Sequence, residues 1–330
     1  MTPLQRALTD RIRTEGRISV EAYMEACNAY YYATRDPLGA TGDFTTAPEI
    51  SQMYGELIGA ALADLWARAG RPEGVRYVEL GPGRGTLAAD ALRVMRAAGC
   101  EPVAVELVET SPALREAQAA RVPGAIFHDS IDGLAAGEGP ILLVASEFFD
   151  ALPVRQFVDG FERHVIMAAG GLAFDRDGSI TEKGSSREEA MEALARIIAD
   201  KGGAAVIIDY GHGEANAIGD TLQAVRAHQH AFPLDHPGEQ DLTAHVDFAA
   251  LAEAAERGGA VSSRLASQGG WLETLGISAR AMTLAAKNPE QTEAIADARR
   301  RLCDEAEMGR LFKVLAIHSP DWPDVAGLEA

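Results

Sequence analysis

Successive apolar runs in this chain end on acidic residues, and the first also ends on a glycine-rich turn. In residues 75–90, VRYVELGPGRGTLAAD, Glu79 stands two positions before Gly81, and Gly83 and Gly85 follow at alternate positions. Glycine lacks Cβ, so such a turn can be tight and a ligand can approach its backbone. The helix expected to start there turns unpaired N–H groups toward the same spot. The dinucleotide fingerprint needs Gly or Ala at position 86, where Thr86 stands, which disfavours a nicotinamide oxidoreductase. Glu109 closes the second run, at the position where an acid accepts hydrogen bonds from ribose hydroxyls in doubly wound nucleotide folds. The third run ends on His128 and Asp129, and the fourth, ILLVAS, leads into Ser146, Glu147, Phe148, Phe149 and Asp150. Paired carboxylates beside aromatics suit a guanidinium, whose planar fork of donors they match. Plainer alternatives stand beside each: a structural turn, solvated strand ends, phenylalanines filling core, and Asp150 capping a helix.

Elements of alternating type must carry these residues. Strands are expected at 76–80, 102–109, 125–128, 141–146 and 204–210, with helices at 86–98 and 111–120 between the first three. That alternation predicts an α/β fold with a doubly wound parallel sheet, whose ligands lie at the carboxyl edge. Upstream, apolar residues at helical spacing predict one helix over 4–24. Thr46 and Glu49 have capping-box spacing with Pro48 in the first turn, so a further helix is expected from there through Trp66. Residues 154–175 alternate between turns and read as hairpins. The stretch 211–245 reads as a long loop, 260–267 as a strand, 278–307 as mostly helix and 312–318 as a last strand. The division expected is an N-terminal helical and loop cap, 1–74, before a domain of 75–330. That domain carries insertions at about 154–203, 211–245 and 278–308.

Composition narrows the partners. Lys plus Arg number 30 and Asp plus Glu 49 in 330 residues, a net charge of −19. Binding to a nucleic-acid backbone needs the opposite balance, whereas a cationic partner or plain solubility suits this one. Cys27, Cys100 and Cys303 have no C-x-x-C spacing, so neither a zinc site nor a disulfide framework is expected. Histidines 212, 228, 230, 236 and 245 match no metal-ligand spacing. No apolar stretch has the length of a bilayer span, and the acids near the N-terminus fit no signal or transit peptide. The expectation is a bacterial cytoplasm.

Ordered motifs through nearly the whole chain resemble the MidA-like family of class I methyltransferases that use S-adenosylmethionine. They are GDFTTAPEISQMYGE, VELGPGRGTLAAD, VETSPALR, SEFFDALPVRQF, IDYGH, GDTLQAVRAH, PGEQDLTAHVDF and QGGWLETLGI. Ala47, Tyr54 and Ser146 depart mildly from the family's pattern, the last standing where Asn is commoner. The mitochondrial member of that family is a protein-arginine methyltransferase that assists assembly of respiratory complex I. The resemblance implies a Rossmann-like class I methyltransferase sheet holding S-adenosyl-L-methionine. It implies Glu79, Gly81, Gly83, Gly85 and Glu109 as cofactor residues and Asp129 as a contact to the adenine. Glu147 would orient the target guanidinium, with Asp150 its partner. The substrate implied is an arginine-bearing segment of a protein, such as a peripheral-arm subunit of complex I or its bacterial counterpart. The alternative is a non-catalytic assembly factor for a respiratory complex that binds the same cofactor.

Overall fold

Ile141–Ser146 is an unbroken apolar run, and all but its last residue are buried. A strand apolar on both faces must be covered on both faces, which puts it at the centre of a parallel sheet. The computed structural model describes residues 2–34, 46–214, 217–226 and 228–329. The chain divides into two compact units. One comprises Thr46–Phe148, Ala190–Gly211 and Leu251–Ala330; the other comprises Met1–Thr45, Phe149–Glu189 and His212–Ala250.

The first unit carries the sheet. Its strands are β1 (Arg76–Leu80), β2 (Ala104–Val108), β3 (Ile126–His128), β4 (Ile141–Ser146), β5 (Gly203–His212), β6 (Val261–Ser262) and β7 (Phe312–His318). They lie in the order β6-β7-β5-β4-β1-β2-β3. β1 to β5 are mutually parallel, and β7 runs antiparallel to β5. The doubly wound sheet expected is therefore present. The chain winds outward from β1 through β2 to β3, then returns to lay β4 on the other side of β1. That reversal is the topological switch point, where open α/β sheets place their ligands. Register sets Leu80 against Ala145 and against Val108, so the turns after β1, β2 and β4 leave the sheet side by side.

Helices cover the sheet. α1 (Ala47–Ile50) and α2 (Gln52–Arg68) precede β1, α3 (Thr86–Ala97) follows it, and α4 (Pro112–Arg121) follows β2. The single helix expected from Thr46 is broken at Ser51, which adopts extended backbone and caps α2 by accepting a hydrogen bond from the Met53 N–H. The Thr46 side chain makes no capping bond, so the expected capping box does not form. α2 lies tightly on α3: a Cβ added at Gly59 would come within 2.5 Å of the Ala91 carbonyl oxygen. Glu56 of α2 is buried between Arg93 and Arg280. Burial pushes its carboxyl up, but the two guanidinium groups outweigh that and hold it below the usual range.

The second unit is built on Pro3–Glu15 and Val20–Thr34, two helices where periodicity predicts one over 4–24. Gly16 ends the first with φ 82°, and Ile18–Ser19 pairs as a short strand with His164–Ala168. The hairpins expected at 154–175 are present as Arg155–Val158, Phe161–Glu162, His164–Ala168 and Gly171–Phe174. The stretch expected as a loop, 211–245, contains three paired strands, Gln223–Arg226, Gln229–Ala231 and Asp241–Thr243. Their apolar residues Ala224 and Leu242 join Leu8, Ile12, Tyr23, Met24 and Val165 in one core. The strand expected at 260–267 is two short strands, Val261–Ser262 and Ala266–Ser267, both on β7.

Candidate functional site

β1 delivers Glu79 to the edge of the sheet almost fully buried, at 3% exposure. The Tyr77 hydroxyl donates to its Oε2 at 2.7 Å, and the Ala88 N–H at the start of α3 donates to the same carboxyl. Burial pushes the Glu79 carboxyl up to about 8, with those two donors pulling partly back. Near neutral pH it is therefore largely protonated until a positive charge arrives.

The turn that follows needs its glycines. Gly81, Gly83 and Gly85 have φ of 60°, 53° and 75°, the left-handed region that side chains with Cβ avoid. A Cβ at Gly81 would also press to 3.0 Å from Phe148 Cδ2. The Gly81 N–H donates to the Val108 carbonyl at 3.0 Å and so ties the turn to the end of β2. Gly85 caps α3, whose first N–H groups therefore open beside the turn.

One residue past β2, Glu109 is also buried. Its Oε1 accepts the Ser111 N–H at 2.7 Å and its Oε2 accepts Gln118 Nε2 at 3.2 Å. Burial raises its carboxyl above the ordinary value, opposed by these donors and by Arg115. Arg115 links the ends of β2 and β3, donating to the Glu109 and His128 carbonyls and to Asp129 Oδ1 at 2.6 Å. Asp129 thus stands beside Glu109, but its side chain is 88% exposed and engaged with Arg115. His128 is no strand-end polar group facing ligand: its Nε2 lies 2.7 Å from Glu106 Oε2, in a buried cluster with Arg76.

β4 ends on Ser146, whose hydroxyl is hydrogen-bonded to the Tyr54 hydroxyl at 2.9 Å. Glu147 then takes φ 55°, which for a residue with Cβ costs of order 1–3 kcal/mol and persists only where surroundings enforce it. Two bonds enforce it. Its N–H donates to the Ile208 carbonyl at 2.9 Å, and its Oε1 accepts the Ala47 N–H at 2.9 Å. The cap that Thr46 was expected to supply comes instead from Glu147, a hundred residues onward. Glu49 does not reach back to Thr46 either; it accepts the Thr86 hydroxyl at the first position of α3. α1 therefore bonds to the turn after β4 at one end and to the helix after the glycine turn at the other.

Asp150 belongs to the other unit. It is buried there, its carbonyl accepting the Ala244 N–H at 3.1 Å and Arg187 Nη2 at 2.8 Å. No helix begins at Asp150, so the helix-cap alternative fails. Phe149 does fill core, as the plainer reading holds. Most of the Gly-Asp-Phe-Thr-Thr motif, residues 42–45, lies outside the described residues. Among the described residues no helix is long and apolar enough to cross a membrane, and no histidine, cysteine and acid cluster could hold a metal ion.

The first unit thus assembles Glu79, the three glycines, Glu109 and Glu147 along one edge of the sheet. Motif reading missed Gln118, Tyr54, Glu49 and Thr86 as parts of it, because their partners come from distant segments. This donor and acceptor set fits S-adenosylmethionine: carboxylates for a cation and for vicinal hydroxyls, and a turn that no Cβ obstructs.

Comparisons with known proteins agree. A family described as "Putative S-adenosyl-L-methionine-dependent methyltransferase" matches residues 57–175 and 165–265. The chain is 35% identical over 373 aligned residues to the protein arginine methyltransferase NDUFAF7 homolog, mitochondrial, of Drosophila melanogaster, covering 95% of this chain and 84% of that protein. It is 31% identical to the mitochondrial protein arginine methyltransferase NDUFAF7 of Homo sapiens, covering 96% and 83%. A crystal structure from Burkholderia thailandensis bound to S-adenosyl-homocysteine superposes with a TM-score of 0.86 at 27% identity, covering 98% of this chain and 93% of that one.

Proposed function

Because this chain belongs to that family of S-adenosylmethionine-dependent methyltransferases, we propose that it methylates an arginine side chain of a protein, with Glu147 orienting the guanidinium. The names of the relatives support the arginine specificity. The observation that carries the role of Glu147 is its strained backbone at the mouth of β4, the strand beside the glycine turn at the switch point.

The cofactor supplies an electrophilic methyl group on a positively charged sulfur. Glu79 and the glycine turn would hold its amino-acid end, Glu109 its ribose, and Asp129, from the rim, its adenine. A protonated guanidinium is a poor nucleophile, since its lone pairs are delocalised and its pKa exceeds about 12. A carboxylate against one edge would draw positive charge onto the nitrogens it faces and fix the plane of the group, so that the far nitrogen could take the methyl as its bond to sulfur breaks, with the surplus proton passing to solvent. Glu147 already has its position set by Ile208 and Ala47, so little reorganisation is required at the moment of reaction. The substrate we favour is a basic segment of a respiratory complex I peripheral-arm subunit or its bacterial counterpart, met in the bacterial cytoplasm.

Incubation with labelled cofactor and a cell lysate tests the activity: a labelled protein band is expected, and its absence with several lysates favours cofactor binding without catalysis. Glu147→Gln keeps the shape but not the charge. It should reduce turnover by roughly 10²–10³, the range for losing one preorganised electrostatic group, with cofactor affinity within about threefold. Wild-type turnover in the variant would remove Glu147 from the mechanism.

A further inference from the structure

We infer that Gln118 is a positioning residue for cofactor binding, joining the glycine turn to Glu109 so that both present one fixed geometry. The inference rests on the cofactor site proposed above. Gln118 lies on the inner face of α4 and has no solvent exposure. Its Nε2 donates to the Gly83 carbonyl at 2.6 Å and to Glu109 Oε2 at 3.2 Å. Two acceptors on one nitrogen settle which way round the amide sits, since the reverse orientation would set oxygen against oxygen. A Cβ added at Gly85 would come to 3.6 Å from Gln118 Cα and Cγ, so Gln118 lies beside this glycine as well. One side chain thus bonds the glycine turn at Gly83 and the acid that follows β2, and lies beside Gly85.

The arrangement acts on Glu109 in two ways. The Ser111 N–H on Oε1, Gln118 on Oε2 and the Thr110 N–H together hold the carboxyl in one orientation for a ribose hydroxyl. The Gln118 bond also favours the ionised carboxylate, the form that accepts from two hydroxyls, against the burial that opposes it. The other charged groups here are Arg115, bonded to the Glu109 carbonyl, Asp129, paired with Arg115, and Arg84 in the turn itself. Arg115 favours the same ionised form.

Titration calorimetry of the full chain with S-adenosylhomocysteine tests this, comparing wild type with Gln118→Met and with Gln118→Glu. The second is isosteric and puts an acceptor where the donor was. Both should bind about ten- to a hundredfold more weakly at pH 7.5, the range for losing a hydrogen bond to a charged group. In Gln118→Met the decline of affinity on acidification should begin at higher pH than in wild type, because Glu109 is more easily protonated. In a Glu109→Gln background, Gln118→Met should cost clearly less than in the wild-type background, the remainder reflecting the lost bond to the Gly83 carbonyl. Equal losses in both backgrounds and at every pH would reduce Gln118 to packing and overturn the inference, as would unchanged affinity in both variants. Wild-type protein that fails to bind S-adenosylhomocysteine would overturn the cofactor site itself, and this inference with it.

Discussion

Among the described residues no cation is hydrogen-bonded to the buried Glu79, and its protonation is where that burial becomes measurable. In the folded chain its carboxyl holds a proton up to about pH 8, against an ordinary value of 4.5. Between those values the native state binds more protons than the unfolded chain, so stability falls as pH rises. This one group contributes a slope of up to about 1.4 kcal/mol per pH unit. Glu79→Gln removes the slope. Thermal melting should find the variant closest to wild type near pH 5 and clearly more stable at pH 8.5. A difference that does not change with pH would show that Glu79 does not titrate in this window. The same burial makes cofactor binding proton-linked, since a cation beside the carboxyl favours its ionised form. Calorimetry at pH 7 in buffers of different ionisation enthalpy should show net proton release on binding S-adenosylmethionine. The release should be abolished in Glu79→Gln.

Elements pack here by leaving out side chains as much as by filling space. Gly55 and Gly59 let α2 lie on α3, and a Cβ at Gly59 would meet the Ala91 backbone at 2.5–2.9 Å. Helix propensity alone favours Gly59→Ala by about 1 kcal/mol. Forcing a methyl into a filled interface costs about 1–3 kcal/mol, with rigid backbone as the obstacle. The clash should win, giving a lower urea midpoint; a higher midpoint would mean that the helices part at little cost. The short α1 shows how a local pattern yields to a distant one. Thr46 and Glu49 have the spacing of a capping box, but Glu147 takes the Ala47 N–H and Thr86 takes Glu49. Ala47, Tyr54 and Ser146 belong to this same cluster. Two of them, Tyr54 and Ser146, bond each other, and the third donates to Glu147.

At the scale of the whole molecule, a net charge of −19 surrounds a proposed substrate segment that is basic. Long-range attraction then raises the encounter rate and is screened by salt, with a Debye length of about 10 Å at 0.1 M. For an arginine-rich peptide, kcat/KM should fall roughly tenfold between 0.05 and 0.5 M salt while kcat changes little. A salt-independent kcat/KM would point to a neutral or buried recognition element. The interior has little tolerance. Leu142 of β4 is fully buried in the main core, so Leu142→Ala should cost about 2–5 kcal/mol in a urea titration.

Patterns carried by neighbours in the chain are legible in the sequence alone. The alternation of strands and helices, the E-x-G-x-G-x-G turn and the acids closing β2 and β4 need only a few adjacent residues to be recognised, because backbone periodicity and steric freedom are local properties. The division of residues 4–24 into two helices, the strands inside 211–245 and the break at Ser51 are not, since partners far along the chain outweigh weak local preference there. The same holds for Gln118 beneath the glycine turn and for Glu147 on the N–H of Ala47. A lone glutamine on a helix has no motif, and a helix N-terminus accepts a cap from any carboxylate that folding brings within reach. Residue type names the chemistry available, whereas packing alone determines which donor meets which acceptor.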